Sequence, residues 1–341
     1  MAGKGSLLSA FSRLPIPHVG KGGEAFSAQA IEQSPHQLGK DTEGRPAILI
    51  VAKDAAGRDV PYPVALEHIS VRYHVLCQVT DADEAPQQGR FIVIRCESHE
   101  SDLIEYFLRT IEVHIRSIGS APSCAQVAEM VEKLIELFRA LSQPSTRSVQ
   151  GLWAELLMIA QSSDPHLLLR SWHATPEARY DFSSEGQYVE VKSASGQARI
   201  HHFSLEQLHP LAGTAAVVVS LFVERSMNGL TVLDLMDRIR VQITSDVGLL
   251  THLHRNVTLT LASDWRHAAS LKFDHHLAKS SLRAFDVGRI PSVSWPVPLD
   301  VTEVRFKANL SRIQPSDLSD LIEAGGLFRA IAQAAPVPVP T

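Results

Sequence analysis

The stretch Arg179-Tyr-Asp-Phe-Ser-Ser-Glu-Gly-Gln-Tyr-Val-Glu-Val-Lys192 constrains the fold most, because its central Glu185-Gly186 pair reads as the two-residue loop of a tight hairpin. Pairing the arms around that loop sets Ser184 opposite Gln187. Carried up the ladder, the same register sets Asp181 opposite Glu190, so two carboxylates become cross-strand neighbours. The side-chain period of two then puts Tyr188, Glu190 and Lys192 on one face of the second arm and Val189 and Val191 on the other. The valines face a core and the charges face a site. Like charges so placed repel, and a divalent cation is the simplest group that would compensate them.

A third carboxylate joins from upstream. In Gly151-Leu-Trp-Ala-Glu-Leu-Leu-Met-Ile159, Glu155 lies three residues after Leu152 and four before Ile159, on the apolar stripe of an expected helix from Val149 to Ala160. Taken alone, Glu155 reads as a stripe-edge acid paired with Arg147 or Arg170. Taken with Asp181, Glu190 and Lys192, it reads as part of one site.

The rest of the chain frames that site. Its 341 residues favour about two domains, and 45% hydrophobic residues are ample for sizeable cores. A net charge of -5 argues against a free-standing nucleic-acid binder with a broad basic face. Cys77, Cys96 and Cys124 have neither C-x-x-C nor disulfide-framework spacing, which fits buried thiols in a reducing cytosol. No export signal is evident and the longest apolar run, Ala215 to Val223, is too short to span a membrane, so a soluble cytoplasmic protein is expected.

Residues 1–45, rich in Gly, Ser and Pro, read as a partly ordered leader. Strand-like runs at Ala47–Ala52, Ile69–Val79 and Arg90–Cys96 suggest a small antiparallel sheet, followed by two helices, one stopping near Gly119. This N-terminal β/helical domain would span 46–143, ending at the Gln143-Pro144-Ser145 break. A mixed α/β domain over 144–333 follows, in the order helix, strand (Leu167–Trp172), hairpin, short helix from Ser204 and buried strand (215–223). Beyond it come a helix near 230–240, strands near 257–262, 270–274 and 301–308, and a helix over 315–333. A Pro-rich tail covers 334–341.

Helix Glu, then Asp, then Glu-x-Lys on consecutive strands, then a helix, resembles the PD-(D/E)XK nuclease superfamily over residues 145 to about 225. More narrowly, Gly151-Leu-Trp-Ala-Glu155, Trp172-His173, Asp181-Phe182, Glu190-Val-Lys192, His202-Phe-Ser204 and Glu206-Gln-Leu208 resemble bacterial PD-(D/E)XK motif proteins of phage-defence neighbourhoods. The resemblance implies a restriction-endonuclease-like core with a mixed central sheet flanked by helices. It implies a Mg²⁺- or Mn²⁺-dependent DNA endonuclease with Asp181, Glu190, the Val191 carbonyl and Glu155 as metal ligands. Lys192 would orient or deprotonate the attacking water. The resemblance further implies ATPase or helicase-like defence partners; a double-strand break would need a dimer or a partner nuclease. Tyr180 stands where the superfamily name calls for proline. The alternative is a nuclease-fold subunit without turnover, serving a structural or recognition role.

Other motifs carry less. Ser204-x-x-Gln207 reads first as a capping box, with Gln207 a secondary candidate for substrate contact. His201-His202, His252-Leu-His254 and His275-His276 lack zinc-site spacing and read as surface or hydrogen-bonded histidines, with His202 a candidate phosphate contact near the hairpin. Trp172-His173 reads equally well as packing beneath the hairpin. Neither a P-loop nor a nucleophile elbow is present.

Overall fold

The computed structural model describes residues 6–18, 24–31, 34–53, 61–81, 86–141, 148–173, 178–244, 246–293, 298, 300–332 and 334. The chain divides into two compact units, Met1–Pro144 and Ser145–Thr341, and the architecture is mixed α/β. Among the described residues no helix is long and apolar enough to cross a membrane.

The first unit holds helix α1 (Leu7–Arg13), strands β1 (Glu24–Ala30), β2 (Gln37–Asp41), β3 (Pro46–Ile50), β4 (Val64–Ala65), β5 (Ile69–Thr80) and β6 (Gln87–Cys96), and helices α2 (Ser101–Ile118) and α3 (Cys124–Ala140). The strands form one sheet in the order β1-β2-β3-β6-β5-β4. A parallel pairing of β1 with β5, from Glu24↔Cys77 to Ser27↔Thr80, closes it into a ring. The expected antiparallel sheet is therefore closed by one parallel seam. Phe26, Ala28, Ala47, Leu49, Cys77, Val79 and Val93 pack together in one cluster of this unit. Gly39 admits Phe26, since a Cβ there would meet the ring at 3.3 Å. All five residues of β3 are buried, as in a strand covered on both faces.

Residues 24–30 and 37–41, expected to be leader, are thus integral strands. Their composition misleads because β1 is built of small and polar residues around one phenylalanine, which suits a narrow interior and leaves little hydrophobic signal. The helix ends follow their sequence signals: Gly119 closes α2 at φ 71°, and Ser123 with Gln126 forms a capping box at the start of α3. Cys77, Cys96 and Cys124 are buried, unlinked thiols. Burial pushes Cys77 up to about 12 and Cys96 up to about 11.

The second unit runs α4 (Val149–Gln161), α5 (Pro165–Ser171), β7 (Phe182–Ser184), β8 (Gln187–Ala194), β9 (Ile200–Ser204), β10 (Ala215–Phe222), β11 (Arg225–Leu230), α6 (Val232–Gln242), α7 (Val247–Leu261), α8 (Trp265–Ser270), α9 (His275–Ser281), β12 (Arg283–Asp286), β13 (Arg305–Asn309), α10 (Leu318–Glu323) and α11 (Gly326–Ala332). Its central sheet has the order β12-β10-β8-β7. β8 and β10 are parallel over eight residue pairs, while β7 and β12 run antiparallel at the edges. A separate ribbon pairs β9 with β13.

Several expected strands are helical or absent. Leu167–Trp172 lies mostly in α5, because Asp164 caps the Leu167 N–H at 2.9 Å, Pro165 opens the helix, and the leucine run lacks the β-branching that favours strands. Residues 257–261 finish α7, where the Val-Thr-Leu-Thr-Leu alternation mimics a strand. The Thr258 hydroxyl there donates to the His254 carbonyl at 2.8 Å. Near 270–274 only isolated bridges to Phe273 form. The strand expected over 301–308 is limited to β13, and the helix expected over 315–333 breaks at Gly325, φ 70°.

Candidate metal centre

The hairpin forms as its loop dictates. Ser184↔Gln187, Ser183↔Tyr188 and Phe182↔Val189 pair, with Glu185 at φ 47° and Gly186 at φ 77°. The ladder stops one pair short of Asp181 and Glu190. The Asp181 carboxylate instead accepts the Val191 N–H at 2.8 Å, on the residue between Glu190 and Lys192. Tyr180, standing where the superfamily pattern has proline, is buried and stacks on Tyr188 with ring centroids 4.7 Å apart.

Glu155 is placed by a helix that is buried from Leu152 through Ile159, so an inward position needs no narrow stripe. Ser148 caps α4 by accepting the Gly151 N–H at 3.1 Å, and Gln150 ties it to β8 through Ser193 at 3.0 Å. Glu155 is 3% exposed. Its Oε2 accepts the Trp172 indole N–H at 2.8 Å and lies 2.9 Å from His173 Nε2. Of the arginines considered as partners, Arg170 is exposed and Arg147 lies outside the described residues.

The Trp172-His173 corner after α5 is anchored on three sides. Trp172 bridges Phe182, the His173 N–H donates to the Asp181 carbonyl at 3.0 Å, and the Trp172 carbonyl receives His252 at 2.9 Å and Asn256 at 3.3 Å from α7. His173 has φ 43°, a left-handed conformation that costs a residue bearing a Cβ roughly 1–3 kcal/mol. Donor atoms of Glu155, His173 and Asp181 all lie within 4.8 Å of one another. Two carboxylates and an imidazole, all deprotonated when ligating, suit a divalent cation.

Glu190 and Lys192 form the other half of the arrangement. Glu190 is 5% exposed, and its Oε1 lies 2.6 Å from Lys192 Nζ, which sits 5.4 Å over the Phe203 ring. Beside them, Ser220 pairs in register with Lys192 and binds His201 Nε2 and Arg199 Nη1, each at 2.8 Å. Burial, then the charges of Lys192 and Arg199, push the His201 imidazole down to about 4. Burial, then Arg283, lowers Arg199 to about 10.

The structure therefore gathers the expected residues into two adjoining sets, Glu155 with Asp181 and Glu190 with Lys192, joined through the Val191 main chain. It adds His173 to the first set, a residue of the Trp172-His173 pair that reads equally well as packing. The available signal was not its spacing but its place in the Trp172-His173 pair that helps carry the family resemblance. His202 lies on the exposed side of β9 opposite Lys307, and His201 turns toward Lys192 instead. Gln207 acts as the capping residue: its Oε1 accepts the Ser204 N–H at 3.2 Å and its Nε2 donates to the Arg179 carbonyl at 3.3 Å.

Residues 8–311 match the model of a family described as "Putative PD-(D/E)XK family member, (DUF4420)". The chain belongs to this family. PD-(D/E)XK membership suggests a nuclease-like function, and the family typically uses divalent metals. No curated protein and no solved structure matches the chain.

Proposed function

We propose that this protein is a metal-dependent phosphodiesterase acting on DNA. The observation that carries the reading is the Asp181 carboxylate fastened to the Val191 N–H, 2.8 Å away, between Glu190 and Lys192 and in the same donor group as Glu155. Asp181, Glu155 and Glu190 would hold the cation. When bound, it supplies positive charge to the phosphoryl oxygen and acidifies water. Hydrolysis joins a water oxygen to phosphorus and breaks the bond to the leaving oxygen, which takes up a proton. Lys192, held 2.6 Å from Glu190, would orient that water and offset negative charge as the new bond forms. Hydrogen bonds from Trp172 and Val191 keep the acids in place before substrate arrives. The setting we propose, bacterial defence against phage beside ATPase or helicase-like partners, rests on the sequence resemblance.

The test is Mg²⁺- and Mn²⁺-dependent cleavage of plasmid and linear DNA by wild type, Lys192→Ala and Asp181→Ala, with thermal stability followed against metal. Lys192→Ala should lose about 10²-fold or more in rate while keeping metal stabilisation. Asp181→Ala should lose both. Cleavage by Asp181→Ala at the wild-type rate would refute the reading. Absence of both cleavage and metal stabilisation in wild type would favour the nuclease-fold scaffold instead.

A further inference from the structure

We propose that His173 is a nitrogen ligand to the same cation as Glu155 and Asp181, so that the centre prefers a first-row transition cation such as Mn²⁺ to Mg²⁺. The inference rests on the reading above that this corner holds a cation, and adds which cation it selects and through which residue.

Three observations favour a ligand over a packing histidine. His173 Nε2 lies 2.9 Å from Glu155 Oε2, inside a donor group that includes Asp181 and spans at most 4.8 Å. Neighbouring donors on an ion bound at about 2.1 Å also sit about 3 Å apart, so one cation could replace the proton between ring and acid with little rearrangement. Glu155 Oε2 already receives the Trp172 indole N–H at 2.8 Å, so His173 is not required to orient the acid. Finally, His173 takes a left-handed backbone at φ 43°, held by its N–H on Asp181 and by His252 and Asn256 on the preceding carbonyl. The fold thus fixes this ring against the acids at a backbone cost that glycine would not incur.

The chemical consequence follows from donor type. Mg²⁺ demands hard oxygen ligands in near-ideal octahedral geometry, whereas imidazole nitrogen binds first-row transition ions better. A nitrogen donor among the carboxylate oxygens therefore shifts preference away from Mg²⁺.

His173→Asn is the decisive variant, because asparagine tolerates the left-handed backbone while removing the ring. With the full chain loaded with Mn²⁺, pulsed electron paramagnetic resonance should detect directly bound ¹⁴N in wild type and lose it in His173→Asn. Titrations should show Mn²⁺ affinity falling about 10–100-fold in the variant, with Mg²⁺ affinity changing far less. Circular dichroism verifies that the variant is folded; should it fail to fold, the wild-type nitrogen signal decides alone. Mn²⁺ that is bound in wild type and removed by Asp181→Ala, yet shows no nitrogen coupling, would overturn the inference and leave the metal centre standing. An unchanged Mn²⁺/Mg²⁺ preference in His173→Asn would do the same. If wild type binds neither ion at this corner, the inference and the metal reading beneath it both fail.

Discussion

Asp41 in the first unit and Asp181 in the second are buried to the same degree, 4% and 3% exposed, and both accept backbone N–H groups, but Asp41 also meets fixed positive charge. Asp41 meets arginines: Arg45 Nε at 2.9 Å and Arg95 Nε at 3.3 Å, with Arg45 reaching on to Glu97 at 2.6 Å and Arg95 to Glu24 at 2.5 Å. Asp181 accepts a neutral backbone N–H, and its neighbour Glu155 accepts an indole N–H and approaches an imidazole. Fixed guanidinium charge neutralises an acid permanently. A backbone or indole N–H orients an acid without bringing a formal charge of its own. The first arrangement is a structural network, and the second is where we propose the metal centre.

The sharpest way to break this distinction is to remove the cation from the first. Arg45→Ala should destabilise the first unit by about 3–5 kcal/mol, because it strips a buried carboxylate of its closest charge partner and releases Glu97 as well. Metal-dependent stabilisation at the second unit should not change. Denaturant unfolding with and without Mn²⁺ measures both, and a loss of metal response in Arg45→Ala would mean that the two acid clusters are not independent.

The same contrast governs what could be read in advance. A two-residue loop sets strand register without tertiary help, so the hairpin and the approach of Asp181 to the Glu190–Lys192 strand were legible. α4 was equally legible, since Ser148 supplies a cap and the apolar run that follows fits a helix. β10 followed from an unbroken apolar stretch. His173 was not legible, because its value depends on a left-handed corner that brings residues 155, 173 and 181 together, and neither periodicity nor spacing encodes that. Which of His201 and His202 faces Lys192 was not legible for a simpler reason. Strand parity decides which of the two faces Lys192, and parity needs the pairing of β9 with β13, which lies about a hundred residues downstream. β1 and β2 escaped because their stability comes from closing a ring through β5, a long-range pairing with little local signature.

A smaller effect sharpens the comparison through pH. His114 in the first unit and His201 in the second are both pushed down to about 4, chiefly by burial, aided by Lys133 in one case and by Lys192 and Arg199 in the other. Below the ordinary histidine value of about 6.5 the unfolded chain takes up protons that the folded chain refuses until near pH 4, so stability falls as pH drops through that window. Each residue should cost on the order of 2 kcal/mol between pH 7.5 and pH 5. His114→Gln and His201→Gln should each remove that share of the acid sensitivity, read from urea midpoints at the two pH values. Lys192→Ala should raise the His201 value and leave His114 alone, since only His201 shares its surroundings with the proposed catalytic lysine. Equal shifts at both histidines would show that Lys192 acts through global stability.

The smallest test compares two helix caps. Ser123 accepts the Gln126 N–H at 3.2 Å at the start of α3, and Ser148 accepts the Gly151 N–H at 3.1 Å at the start of α4. Replacing either by alanine should cost about 1 kcal/mol, the usual worth of such a cap. Only Ser148 stands one residue before a helix whose Gln150 is tied to β8 and whose next turn carries Glu155. Fraying of α4 from its first turn would loosen the helix against the strand that bears Glu190 and Lys192, so Ser148→Ala should weaken Mn²⁺ binding several-fold while Ser123→Ala leaves it intact. Stability losses that match with metal affinities that diverge would locate the site's rigidity in α4 itself. If affinity follows stability equally in both variants, the corner depends on the fold as a whole, and the separation between structural network and site drawn from Asp41 and Asp181 is too sharp.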